Sequence, residues 1–170
     1  MNLIDMKSPA DLKGLSLAEL TDLTAQARQA LMTKVSEHGG HVGPPMGAAE
    51  MIMALHYVFN SPVDKIVYDV SHQSYVHKMV TGRALAFLDH DHYDDVTGYT
   101  DPAESEHDFF NIGHTSTSIS LASGLATARN LKGDSENIIA IIGDGSLSGG
   151  EAFEGLDYAA TLDSNMIIIV

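Results

Sequence analysis

The sequence predicts an α/β fold, with a parallel sheet flanked by helices. Two aliphatic runs, Asn137–Ile142 and Asn165–Val170, read as buried strands. Continuous apolar runs of this length suit strands that are covered on both faces. The stretch between them reads as a helix, and strand, helix, strand at this spacing is a βαβ unit with parallel strands.

The elements follow in order. Ser16 and Glu19 predict a capping box, with Leu15 and Leu20 as a hydrophobic staple. Leu20, Leu23, Ala27, Ala30, Leu31 and Val35 then recur near helical period, and Gly39-Gly40 stops the helix. Residues 39–47, rich in glycine and proline, predict a loop. Ala48 to about Phe59 is apolar on most sides and predicts a buried helix, ended by Asn60-Ser61-Pro62. Lys65–Val70 predicts a strand, Gln73–Arg83 a helix, and the acidic, histidine-rich stretch 89–107 a loop. Thr115–Leu131 predicts a helix whose small residues permit close backbone approach. Ser148 and Glu151 predict a second capping box, which opens a helix to about Leu162.

Composition sets limits on function. The chain has 170 residues, about one domain's length, so residues 1–170 are expected to form one domain with its own core. It has no cysteine, which excludes a disulfide scaffold, a thiolate zinc site and a cysteine nucleophile. Nine Lys+Arg against 23 Asp+Glu give a net charge of −14, which argues against nucleic-acid and anionic-membrane partners. Residues 1–12 lack the apolar core of a secretory signal. The aliphatic runs are also too short to span a bilayer, so a cytoplasmic location is expected. Because the sequence stops inside an aliphatic strand, it reads as the first part of a longer chain.

Parallel sheets bind ligands beyond the carboxyl ends of their strands. Ser71-His72 and Gly143-Asp144-Gly145-Ser146 lie at such ends. The glycines can turn backbone N–H groups towards an anion, and Asp144 offers the hard oxygen that Mg²⁺ prefers. An ordinary αβ turn with Asp as turn former is the alternative. His41, between Gly40 and Gly43 in a proline-stiffened loop, suits a positioned acid–base group, or it is a solvated loop histidine. His72 can be functional by its place at a strand end, whereas His77 reads as a polar helix residue. His114 precedes hydroxyls that either cap a helix or bind an anion. His90, His92 and His107 sit among aspartates whose spacing matches no fixed metal pattern, so a solvated acidic loop is expected there. Nucleophile-elbow, Gly-Lys-Ser/Thr and Gly-x-Gly-x-x-Gly motifs are absent.

Several ordered blocks carry a resemblance: Gly39-Gly-His-Val-Gly-Pro44, Ala54–Asn60, Tyr68-Asp-Val-Ser-His-Gln-Ser-Tyr-Val-His-Lys78, Thr81-Gly-Arg83, Gly113-His-Thr-Ser-Thr-Ser-Ile-Ser120 and Ile141-Ile-Gly-Asp-Gly-Ser146. From about Ser8 to Val170 the chain resembles the N-terminal part of the 1-deoxy-D-xylulose-5-phosphate synthase family of transketolase-like enzymes. The resemblance implies a thiamine-diphosphate-binding fold with later domains beyond Val170. It implies thiamine diphosphate and Mg²⁺ as cofactors, a homodimer, and condensation of pyruvate, with loss of CO₂, with glyceraldehyde 3-phosphate. It implies Asp144 as Mg²⁺ ligand, and Gly113, His114, Thr115, Gly145 and Ser146 as cofactor contacts. His72 would lie at the cofactor and the reacting centre, and His41 would serve proton transfer or substrate contact. A second Mg²⁺ ligand, an asparagine, and an activating glutamate are implied beyond Val170. Ser71, Ser74 and Val76 replace the family's Gly, Ala and Pro, and Asp95–Thr100 stands where a Gly-Gly-Leu stretch is usual. These departures bear on the substrate pair more than on the cofactor. Another transketolase-like enzyme with a different donor and acceptor, or a non-catalytic cofactor-binding relative, is the alternative.

Overall fold

The computed structural model describes residues 1–170, which fold as two compact units. The first comprises Met1–Asn60 and His72–Tyr99, and the second Ser61–Ser71 and Thr100–Val170.

The first unit is helical. Helix α1 (Leu17–His38) starts on the predicted capping box, with Ser16 and Glu19 each bonding the other's backbone N–H, and ends at Gly39 with φ 86°. Its apolar stripe of Leu23, Ala27, Ala30 and Leu31 is buried and packs against α3 (Ala49–Val58). The predicted 39–47 loop is partly helical: Pro44 and Pro45 open a short helix α2 (Gly43–Gly47), since proline's fixed φ suits a first turn.

The predicted Gln73–Arg83 helix is broken. Helix α4 spans Tyr75–Lys78, and Met79–Arg83 widens into a π-type turn with non-helical Thr81 and Gly82, before α5 (Leu85–Leu88). Gly82 takes φ 91°, and a Cβ there would lie 2.7 Å from the Lys7 carbonyl oxygen, so only glycine fits. Part of the predicted 89–107 loop is a 3₁₀ helix, His90–Asp95, whose N-cap Asp89 accepts from the Asp91 N–H. A buried cation anchors it. Lys34, on the stripe of α1 one turn past Leu31, donates to the carbonyls of Ala86 at 2.9 Å and Tyr93 at 2.7 Å. The Lys34 ammonium also lies 4.5 Å from the Phe87 ring centroid.

The second unit holds the sheet. Strands β1 (Lys65–Tyr68), β2 (Ile138–Ile141) and β3 (Ile167–Ile169) are parallel in the order β1-β2-β3, with Ile66 opposite Ile139 and Ile139 opposite Ile167. Helix α6 (Ser118–Lys132) crosses from β1 towards β2, and a short α7 (Asp144–Leu147) followed by α8 (Gly150–Thr161) crosses from β2 to β3. Every position of β2 is buried, as an aliphatic central strand requires, while edge strand β3 is half-buried. One core cluster joins Val67, Ile138, Ala140 and Ile142 to Ile119, Ala122 and Ala126 of α6 and Ala152 of α8. No helix of the chain is long and apolar enough to cross a membrane.

The second predicted capping box does not form. Ser148 turns its hydroxyl to the Gly145 carbonyl, Gly149 is the N-cap without a side-chain bond, and Glu151 accepts from Ser120. Packing sets this start, because a Cβ on Gly149 would lie 2.1 Å from the Ser116 hydroxyl.

Candidate active site

In the second unit, the candidate residues start at the carboxyl end of β1. The strand stops two residues earlier than its aliphatic pattern suggests, because Asp69 turns its carboxylate inward. This carboxylate is 1% exposed and accepts the backbone N–H groups of Ser116 and Ser118, both at 2.9 Å. It thereby satisfies donors at the start of α6, where a negative charge also suits the helix dipole. Val70 and Ser71 then turn through the left-handed region, with φ 57° and 69°. The Ser71 hydroxyl holds this turn by donating to the Ile112 carbonyl at 2.8 Å and accepting from the Thr100 N–H at 3.0 Å.

The same clamp fixes the next two segments. Ser116, itself at φ 74°, donates its hydroxyl to the Ser146 carbonyl at 2.6 Å. The loop 113–117 is thus tied to the short helix α7 that follows β2. Gly113, His114 and Thr115 on the loop and Asp144 and Gly145 at the start of α7 are exposed, and Ser146 is half-buried. A Cβ on Gly143 or Gly145 would meet nothing within 4 Å, so the backbone there is open to a ligand. The arrangement offers peptide N–H groups, a hydroxyl and one exposed carboxylate at the carboxyl ends of β1 and β2. That donor set fits a diphosphate bridged by Mg²⁺, which is usually held by one or two carboxylates together with phosphate oxygens and water. No group of three or more His, Asp or Glu side chains in the chain could hold a metal by itself.

The first unit brings His41 and His72 together. Their rings meet edge to face with centroids 5.5 Å apart, and Tyr99 and Tyr75 lie 5.2 and 5.9 Å from His41. His72 is half-buried, and its Nδ1 is buried without a hydrogen-bond partner, which marks a polar atom available to a ligand. Burial holds the His41 pKa below the ordinary histidine value, helped by the neighbouring His72 charge and opposed by the Gly98 backbone. His41, Tyr75 and Lys34 line a cavity of about 260 Å³.

The other histidines divide differently from the sequence expectation. His77 is not a solvated helix residue. It is wholly buried, with its Nδ1 2.8 Å from Nε2 of the equally buried His56. His107 leaves the acidic loop for the interior, where its Nδ1 lies 2.8 Å from the Ser61 hydroxyl. His92 stays outside and pairs with Asp95 at 2.7 Å, which raises its pKa. Sequence reasoning missed Asp69, Tyr75 and Lys34. The one local signal was Asp69, an acid directly after an aliphatic strand.

The family model for 1-deoxy-D-xylulose-5-phosphate synthase matches residues 3–170. The chain is 48% identical over 170 residues to a protein of that name from Symbiobacterium thermophilum, covering all of this chain and 26% of the relative. It is 49% identical over 163 residues to 1-deoxy-D-xylulose-5-phosphate synthase 2 of Geobacter sulfurreducens, covering 96% of this chain and 26% of the relative. A Shouchella clausii protein named 1-deoxy-D-xylulose-5-phosphate synthase is 47% identical over 170 residues. The chain spans about a quarter of the length of these curated relatives.

Proposed function

The chain belongs to the 1-deoxy-D-xylulose-5-phosphate synthase family, and on that premise we propose that it is the first, diphosphate-binding part of a transferase that joins pyruvate, with loss of CO₂, to glyceraldehyde 3-phosphate. Thiamine diphosphate with Mg²⁺ supplies, when bound, the electron sink for cleaving and forming the carbon–carbon bonds. The observation that carries the reading is the pair of exposed segments, loop 113–117 and the start of α7, tied together by Ser116 and Ser146 at the carboxyl ends of β1 and β2. On them, Asp144 would ligate Mg²⁺, and Gly113, His114, Thr115, Gly145 and Ser146 would line the cofactor. The backbone N–H groups of these segments neutralise part of an anion's charge, which a protein of net charge −14 does not do at long range. The family resemblance would place His72 at the cofactor, and its buried Nδ1 has no hydrogen-bond partner in the chain. His41, held towards its neutral form by burial, would face the reacting atoms. The same reading makes the protein a cytoplasmic homodimer that serves isoprenoid and thiamine biosynthesis.

Titration calorimetry tests the site. Thiamine diphosphate should bind the full-length protein only with Mg²⁺ present, and Asp144→Ala should abolish that binding while leaving the circular dichroism unchanged, since Asp144 is exposed. Unchanged affinity in Asp144→Ala would remove the site assignment.

A further inference from the structure

We infer that Tyr75 is a positioning residue for His41: its hydroxyl fixes Nδ1 as an acceptor, so that the imidazole presents Nε2–H to the site. The inference rests on the reading that His41 faces the reacting atoms. The Tyr75 oxygen accepts the His41 backbone N–H at 3.2 Å, and the same hydroxyl lies 3.3 Å from His41 Nδ1. These are the polar partners of the Tyr75 hydroxyl, and of the two only Nδ1 can accept its proton. A Nδ1 that accepts must be bare, and the neutral ring then carries its proton on Nε2.

The surrounding backbone is cleared for this contact. Gly40 sits at φ 130°, and a Cβ on it would lie 2.8 Å from the Tyr75 hydroxyl. A Cβ on Gly98 would lie 3.3 Å from His41 Cε1 and 3.4 Å from the same hydroxyl. Tyr75 itself is 5% exposed and packs its ring on Phe87 at 5.4 Å, so the hydroxyl has little freedom to turn away.

The titratable and charged groups around His41 are His72, Tyr75 and Tyr99 at ring contact, with Lys34, His38 and Tyr93 lining the same cavity. Burial and the neighbouring His72 oppose a second proton on His41, the Gly98 backbone favours one, and the Tyr75 hydroxyl lies against the lone pair that would receive it. His41 is therefore built as a neutral hydrogen-bond donor to a substrate oxygen that gains charge, rather than as a general base at Nε2.

Nitrogen NMR of the protein, with His41 assigned through His41→Gln, reads the tautomer directly. The parent should show a bare Nδ1 and a protonated Nε2. Tyr75→Phe should give mixed tautomers and lower kcat roughly tenfold with KM little changed, the scale of one ordinary hydrogen bond. A protonated Nδ1 in the neutral parent overturns the inference however the variant folds, and so does a Tyr75→Phe variant with unaltered tautomer. His41→Ala with parent turnover would count against the functional reading alone, and the tautomer result would stand.

Discussion

Ser71 shows how one residue reconciles opposing demands. Its φ of 69° lies where glycine is at ease, which accounts for the glycine of the family pattern at this position. A left-handed non-glycine residue costs about 1 kcal/mol. The hydroxyl's bonds to the Ile112 carbonyl and the Thr100 N–H together outweigh that cost at roughly 2 kcal/mol. Ser71→Ala keeps the strain and loses the bonds, so it should destabilise by about 2 kcal/mol. Ser71→Gly loses the same bonds and relieves the strain, so it should cost only about 1 kcal/mol. Urea unfolding of the three proteins checks the order Ser, Gly, Ala; an alanine variant as stable as the glycine one would mean that the backbone is unstrained there. His41, His72 and Asp144 were legible as candidates because their neighbours in sequence, glycines and a strand end, carry the signal. Tyr75, Asp69 and Lys34 were not, because their partners lie 34, 47 and 52 residues away along the chain.

Among the elements, α6 depends most on a group outside itself. Thr117, its N-cap, makes no side-chain cap bond, and the buried Asp69 carboxylate accepts the Ser116 and Ser118 amides instead. Asp69→Ala strands both donors, at about 3 kcal/mol if each charged hydrogen bond contributes roughly 1.5. It should also loosen the 113–117 loop and weaken Mg²⁺-dependent binding of thiamine diphosphate. Asp69→Asn, which keeps one acceptor oxygen, should fall between the two. Thermal unfolding and calorimetry on both variants measure this; full stability in Asp69→Ala would show that α6 holds its own start. The strands were readable because an aliphatic run depends on local composition alone. The second capping box failed because Gly149 is pinned by Ser116, a contact invisible to a four-residue motif. The break after Lys78 likewise follows from the Lys7 carbonyl against Gly82.

For residues 1–170 made alone, acidity and the half-buried edge strand β3 act against each other. A net charge of −14 makes copies repel, while three isoleucines on a sheet edge favour pairing with another strand. Repulsion fades as the carboxylates protonate towards the isoelectric point near 4.7, and salt screens it at neutral pH. The scattering mass should therefore rise as pH falls from 7 towards 5, and rise with added salt. Ile168→Lys should suppress both increases, and a mass indifferent to pH and salt would show that the edge takes no part.

The division of the chain has a different kind of consequence. Each unit is assembled from two separated segments, and the peptide bond between Ser71 and His72 joins one unit to the other. A single recombination crossover anywhere along the chain divides at least one unit, and one between residues 61 and 99 divides both. Gene shuffling among relatives should therefore recover few viable chimaeras with breakpoints in that window. A crossover between loop 113–117 and residues 143–149 divides the second unit alone.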